Sequence, residues 1–395
     1  MGHAATASLM RRLNRSAILN VLRTHSPISR TEIARLLGMS LPTVMRVVDE
    51  LIEEDLVHFE GSEPSGGRRR PLLQFNGAAY AVVGVDLGGG KLYGTVADLT
   101  GRIQHEQYAR WEDYHTPPGM LSSLYHFIQA LLDAPRPPGQ RIRGIGVGAP
   151  GVTLADSGVV VWAPSLNWRD LPLKELLSQR FDPPIFVEND VNLAALGEYG
   201  FGIGIGVSNL VCLYIGIGIG AGILIEGKLY RGHNQAAGEV GYFPPGIDWL
   251  GRAYEEYGAL EYFASGGSIV TRAREYLQKN NLSLASTIMS AEDVFDLARE
   301  GTEWAQEIIS EAVDYLSMMI AGVCSLLDPE MIILSGWVLR SADLLIEPIM
   351  KRLKGVVPYV PRIVASSLGQ RAGVMGAIVL VLDATTGQVM IDQRV

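Results

Sequence analysis

YIGIGIGAGILIEGKLYRGHNQAAGEVGY, residues 214–242, carries an apolar run ending at Ile215 into a turn with glycines at 216, 218, 220 and 222 and out through Ile223–Ile225. The pattern predicts a β-hairpin with a glycine-rich tip. Glycine is needed where successive backbone N–H groups point inward at an anion and a side chain would block its approach, so the tip reads as a phosphate cradle. Just beyond, Ala236-Ala237-Gly238-Glu239 places a carboxylate among small residues, as a site gripping hydroxyl groups requires. AVVGVDLGGGKLYGTVAD, residues 81–98, repeats the design, with Gly88, Gly89 and Gly90 between two apolar runs and Asp86 and Lys91 beside them. One glycine turn alone reads better as no more than a tight hairpin. Two predict a duplicated α/β domain with a ligand cleft between the halves.

The 395 residues suffice for two or three domains, and 48% hydrophobic with 19% charged residues is an ordinary globular composition. Apolar runs such as Ile378–Leu382 fall short of a membrane span, and the first residues lack a signal peptide's apolar stretch; a cytoplasmic protein is expected. Cys212 and Cys324 both sit in apolar segments and read as reduced core thiols. Charge is unevenly placed: residues 1–76 carry ten Arg against eight Asp and Glu, while the rest carries 23 basic and 34 acidic residues. A basic leading domain on an acidic body suggests a polyanion partner for the first and a small ligand for the second.

Within residues 1–76, Leu13–Leu22 has helical apolar spacing and is closed by Pro27. Ser29 and Glu32 have capping-box spacing, flanked by Ile28 and Ile33 as a hydrophobic staple, and Gly38 supplies the stop. A second helix is predicted from Ser40 to about Glu54, with Val44, Val47, Val48, Leu51 and Ile52 on one face. The two make a helix-turn-helix whose second helix offers Ser40, Pro42, Thr43, Met45 and Arg46 to a major groove. Short strands at Val57–Glu60 and Leu72–Phe75 around a loop with Arg68, Arg69 and Arg70 make it a winged variant; three consecutive Arg suit phosphates or a minor groove. A protein-interaction domain with a solvated basic loop is the blander reading.

After residue 76 the pattern changes to strands with crossover helices. Three strands are expected over Tyr80–Arg110, a helix over Leu121–Leu132, a strand over Arg143–Gly148 and a loop over Val161–Leu171. Ile185–Val187 delivers Glu188-Asn189-Asp190-Val191-Asn192 to a helix start at the mouth of the cleft, where carboxamide and carboxylate suit sugar hydroxyls and Asp190 equally suits a helix cap. A long helix over Thr302–Leu327, a strand at Met331–Leu334, a helix over Leu339–Leu353, a strand at Arg362–Ala365 and a helix from Ala372 complete the chain.

GVDLGGGK, GAPG, ENDVNLAALGEYG, GIGIGAGI and AAGEVGY occur in the order found in the ROK family of sugar-responsive repressors and sugar kinases, and SRTEIARLLGMSLPTVMRVVDELIEEDLV with SGGRRRPLLQFN resembles its repressor branch. The resemblance spans almost the whole chain. It implies a winged helix-turn-helix (residues 1–76) followed by a two-lobed actin-like, hexokinase-like (ribonuclease H-like) fold, with lobes over 77–200 and 201–371 and the helix of 372–395 returning to the first. It assigns the sugar to Asn189, Asp190, Glu239 and Glu261, with Gly151 and Ser165 on the opposite wall, and makes Asp190 the base in any kinase.

The chain departs from the kinases at three places that would face ATP: Gly90 and Ile217 replace threonines, and Ser335 and Trp337 stand where many relatives have glycines. Asp86, Gly88, Gly89, Gly90, Lys91, Gly216, Gly218 and Gly220 then read as a vestigial phosphate site, and ATP is not expected. Tyr242 stands where relatives carry a zinc-ligating His, and the accompanying cysteines are missing, so no zinc is expected; Tyr242 meets a sugar hydroxyl or packs. The expectation is a repressor responsive to an aldose, with xylose or glucose suggested by family analogy. One head covers one half-site, so a homodimer or dimer of dimers on a palindromic operator is expected. The alternatives are an ATP-dependent sugar kinase, alone or combined with repression, and a repressor switched by a protein partner.

Overall fold

The computed structural model describes residues 2–65, 68–88, 91–110, 117–252, 258–281, 288 and 290–386. Gly89, Gly90 and residues 253–257 fall outside them. The N-terminal head consists of α1 (Gly2–His25), β1 (Ile28–Ser29), α2 (Arg30–Leu37), α3 (Leu41–Glu53), β2 (Val57–Ser65) and β3 (Arg68–Phe75). Gly38, at φ 61°, ends α2 in the left-handed conformation. Ser40 Oγ accepts from the Thr43 amide at 3.4 Å and starts α3, whose Val44, Val47, Val48 and Leu51 are fully buried.

Two local expectations fail. Ser29 makes no cap bond, and Glu32 turns to Arg35 at 2.5 Å instead of reaching back, so no capping box forms; Ile28 and Ile33 still pack in one core cluster. The wing strands run further than expected, to Ser65 and from Arg68, because Glu63 stands opposite Arg70 across the ladder and Pro71 falls opposite Ser62, beside a bulge. Arg69 and Arg70 therefore stand on β3, alternating between its faces, instead of in a flexible loop.

The first lobe holds β4 (Tyr80–Gly88), β5 (Lys91–Asp98), β6 (Ile103–Arg110), α4 (Pro117–Asp133), β7 (Arg141–Ala149), β8 (Val152–Leu154), β9 (Val159–Ala163), β10 (Trp168–Leu171), α5 (Leu173–Ser178), β11 (Ile185–Asn189) and α6 (Asp190–Phe201). Residues 161–171, expected as a loop, form most of a separate three-stranded sheet, β10-β9-β8. Trp168 of this sheet is fully buried.

The second lobe holds β12 (Leu210–Ile215), β13 (Ile219–Ile225), β14 (Lys228–Leu229), α7 (Glu261–Ala264), α8 (Gly266–Lys279), α9 (Ala291–Arg299), α10 (Glu303–Leu327), β15 (Met331–Gly336), α11 (Ile346–Leu353) and β16 (Arg362–Ala365). Its five strands follow the order β14-β13-β12-β15-β16, and the first lobe's follow β6-β5-β4-β7-β11. In both, an antiparallel meander leads into parallel crossover strands, so the duplication suggested by the two glycine hairpins is a duplication of topology. The 25-residue α10 is long and apolar enough to cross a membrane by length and composition, but Ile308, Val313, Leu316 and Ile320 of this helix are buried in the second lobe's core.

α12 (Ala372–Thr386) packs on β4 and β7 and crosses α6 so closely that a Cβ on Gly376 would lie 1.7 Å from the Leu193 carbonyl. Its Met375, Ile378 and Leu382 share one core cluster with Ile18, Leu22 and Leu51 of the head. Tyr80 joins the same seam. The guanidiniums of Arg141 and Arg143 lie over its ring, 4.9 and 4.8 Å from the centroid, and its hydroxyl donates to the Glu54 carbonyl at 2.9 Å. Glu54 also pairs with Arg15 at 2.8 Å and Arg143 at 3.4 Å, so the head is tied to the first lobe by apolar and ionic contacts together.

Candidate functional site

Strands β4, β7 and β11 run parallel, and the register sets Asp86 beside Gly148 and Asn189 beside Ala149. Their carboxyl ends therefore open at one edge, where ligands enter α/β sheets. Asn189 caps α6: its Oδ1 accepts from the Asn192 amide at 2.9 Å, while its Nδ2 donates to the Gly151 carbonyl at 3.0 Å. The cap role offered to Asp190 thus belongs to its neighbour. Asp190 Oδ1 accepts from the adjacent Val191 amide at 2.9 Å. Gly151 has φ 74°, and a Cβ there would stand 2.1 Å from the Trp162 carbonyl, so only glycine fits the wall. Ser165 is exposed, in a 3-10 turn over Pro164–Leu166.

From the second lobe come Glu239, at the start of the turn Val240–Tyr242, and Glu261, at the start of α7. Asp190 is held well above the ordinary carboxylate range by burial and by the charges of Asp86 and Glu239. Burial pushes Asp86 up to about 7, and its Oδ2 faces Gly373 in the first turn of α12. Glu239 rises to about 7 through burial and the neighbouring Glu261. The Tyr242 phenol is raised by burial and by Glu239 and Glu261, and the Tyr214 phenol by burial, Asp86 and Asp190. One neighbourhood thus joins carboxylates from both lobes, an arrangement that costs repulsion when empty and offers many acceptors to a polyhydroxyl ligand.

Glu261 is partly engaged already: Oε1 accepts from the Ile219 amide at 2.7 Å and Oε2 from the Gly258 amide at 2.6 Å. Gly218 leaves room for it, since a Cβ there would lie 2.4 Å from Oε1. One amide of the glycine tip is therefore held by an internal carboxylate, and the glycine serves that close approach. Gly216 stays in the tip, Gly220 stands opposite Tyr214 in the β12–β13 ladder, and Gly88 and Lys91 close the β4–β5 hairpin. For zinc the fit is poor. Residue 242 offers a phenol held protonated in place of an imidazole, beside two carboxylates.

Two residues bridge the lobes, a role the sequence reading assigned to neither Glu188 nor Gln235. Glu188, fully buried, accepts from the Asn189 amide and Asn192 Nδ2, both at 3.0 Å, and pairs with Arg231 of the second lobe at 2.7 Å. Gln235 Oε1 accepts from the Ala155 amide at 2.6 Å. Only their position across the cleft reveals them. In the head, Pro42, Met45 and Arg46 are exposed on α3, with Thr43 and Ser40 sharing a hydroxyl contact at 2.8 Å. Arg69 and Arg70 are exposed on β3, on the same three-stranded unit.

The family model "ROK family" matches residues 82–384, and "Winged helix-turn-helix DNA-binding" matches residues 11–58. The xylose repressor of Caldicellulosiruptor bescii is 31% identical, covering 95% of this chain and 96% of its own. A glucokinase of Streptomyces coelicolor is 32% identical over 75% of this chain and 95% of its own. The crystal structure of a ROK family transcriptional regulator, a homolog of the E. coli MLC protein, covers 97% of this chain and 98% of its own with a TM-score of 0.84; at 24% identity it supports the fold.

Proposed function

Since the chain belongs to the ROK family and sets a winged helix-turn-helix before the family's two-lobed domain, we propose that it is a DNA-binding transcriptional repressor whose cleft takes an aldose effector. Operator DNA is held by Ser40, Pro42, Thr43, Arg46 and the arginines of β3. The aldose, xylose or glucose by the names of the relatives, is held by Asn189, Asp190, Glu239, Glu261 and Tyr242, with neither zinc nor phosphoryl transfer. The observation that carries the reading is the placement of α12. Its first turn faces Asp86 in the cleft, and its next turns share a core with the head. A ligand with different affinities for two lobe arrangements would shift the head through that helix. Loss of the threonine hydroxyls at 90 and 217, with the Glu261 carboxylate beside the tip, supports sensing without catalysis. Repressor activity acts on DNA in the cytoplasm, by a homodimer or tetramer on a palindromic site.

The test is fluorescence anisotropy on DNA from upstream of the protein's own gene, with and without a panel of aldoses. Release by one sugar is expected. Tight binding that no aldose alters would replace the sugar effector with a protein partner. ATP-dependent phosphorylation abolished by Asp190→Asn would establish the kinase reading, which the retention of Lys91 and Asp190 favours.

A further inference from the structure

A cleft of about 190 Å³ opens on the head between the first turn of α2, the first turns of α3 and the strand β3, lined by Ser29, Arg30, Thr31, Leu41, Met45 and Arg70. Ser29 is 97% buried, since only 3% of it is exposed, yet its Oγ has no hydrogen-bond partner. A buried hydroxyl without a partner costs free energy unless something satisfies it. It also fails to cap α2, so the amides of the first turn stay free for an outside acceptor. Arg30 gives one arm to Asp49 at 2.6 Å and lies over the Phe59 ring, and its Nε is buried without a partner. Arg70 is exposed on the opposite wall.

Unsatisfied donors, a helix N-terminus and two guanidiniums around one cleft are the complement of a phosphate. Among the lining residues no carboxylate appears, while Leu41 and Met45 supply apolar surface of the kind a deoxyribose covers. Leu41 and Met45 also flank Pro42 and Arg46 on α3, so the cleft opens beside the groove-facing residues. We infer that this cleft seats one backbone phosphodiester of the operator strand bordering the groove that α3 enters, with Ser29 Oγ, the α2 amides, Arg30 and Arg70 as its donors. The inference rests on the DNA-binding reading and adds Ser29, Arg30 and Thr31 to it. The contact is made to the backbone and carries no base information. It also separates Arg70 from Arg69, which alternation along β3 turns to the other face.

The test uses the full chain in fluorescence anisotropy on the upstream duplex and on a random duplex of equal length, each across a potassium chloride series. Arg70→Gln is expected to weaken both by about tenfold and to lower the slope of log affinity against log salt by about 0.9, as the loss of one phosphate contact requires. Arg70→Lys restores most of the slope. Ser29→Ala is expected to weaken both duplexes several-fold without lowering the melting temperature, since the hydroxyl makes no bond in the free protein. A purely structural serine would give the reverse: lower melting temperature and unchanged DNA binding. Unchanged affinity and slope in both variants overturns the inference, as does a loss confined to the upstream duplex, which would assign Arg70 to a base. If inorganic phosphate raises the wild-type melting temperature, Arg70→Gln abolishes that rise, and DNA affinity is unmoved, the cleft belongs to a free anion and the inference fails. A wild-type chain that binds neither duplex defeats the regulator reading itself.

Discussion

Glu239→Gln is the perturbation whose consequence follows most directly from the cleft. The Glu239 carboxyl is raised to about 7 from an ordinary 4.5, by burial first and Glu261 second. A carboxyl raised on folding holds its proton in the native state over a range where the unfolded chain has lost it. Its contribution therefore favours the native state at low pH, is lost as pH rises from about 4.5 to about 7, and is level above that. At about 1.4 kcal/mol per pH unit the ionised group at pH 8 weakens the fold by roughly 3 kcal/mol, as an order of magnitude. Glutamine has the same shape and no charge, so the variant should be more stable than wild type at pH 8 by up to about 3 kcal/mol, or roughly 5–10 °C in the second lobe's melting temperature. At pH 5 the two should nearly coincide. Loss of a charged acceptor should also weaken aldose binding by about ten- to a hundredfold. The assay is thermal unfolding of both proteins at pH 5 and pH 8, each with and without the sugar. A variant no more stable than wild type at pH 8, or a wild type equally stable at both, would refute the assignment of a strained charge in the cleft.

Two further perturbations test the bridges between lobes. Arg231→Ala strands the buried Glu188 carboxylate and should cost about 3–5 kcal/mol, most of it regained in Arg231→Met with Glu188→Gln; equal melting temperatures for wild type and Arg231→Ala would show the pair to be dispensable. Glu198→Ala removes the acceptor for Ser366 and Ser367 hydroxyls and the Ile203 and Leu368 amides, which tie α6 to the segment before α12. A loss of several kcal/mol in urea unfolding is expected, with a smaller loss for Glu198→Gln, and no change in either would show that tie to be dispensable.

The helix-turn-helix was legible because its signals are local: the 38-glycine stop, the Ser40 cap and the apolar face of α3 each involve residues within one or two turns. The two hairpins were legible for the same reason, and with them the duplicated topology. The capping box at Ser29 has the right spacing and still does not form, since β1 holds Ser29 in a ladder with Leu72 and sets its side chain in the cleft. Aromatic content made the segment at 161–171 read as a loop, while pairing with β8 makes it sheet.

The linear order of residues by itself determined the alternation of strand and helix, the winged head, and the carboxylates and amide that a sugar needs. Periodicity, caps and glycine turns act over a few residues, and each survives in the unfolded chain as a preference. Tertiary structure alone decided how each of these groups is engaged. Asn189 is spent on the cap and on Gly151 and Glu261 on two amides, while Asp190 accepts from the adjacent Val191 amide. It alone placed Arg231 on Glu188 and joined the head to the cleft through α12, whose partners lie hundreds of residues away. Desolvation and Coulomb interaction depend on distance and burial, and neither exists until the chain has closed on itself.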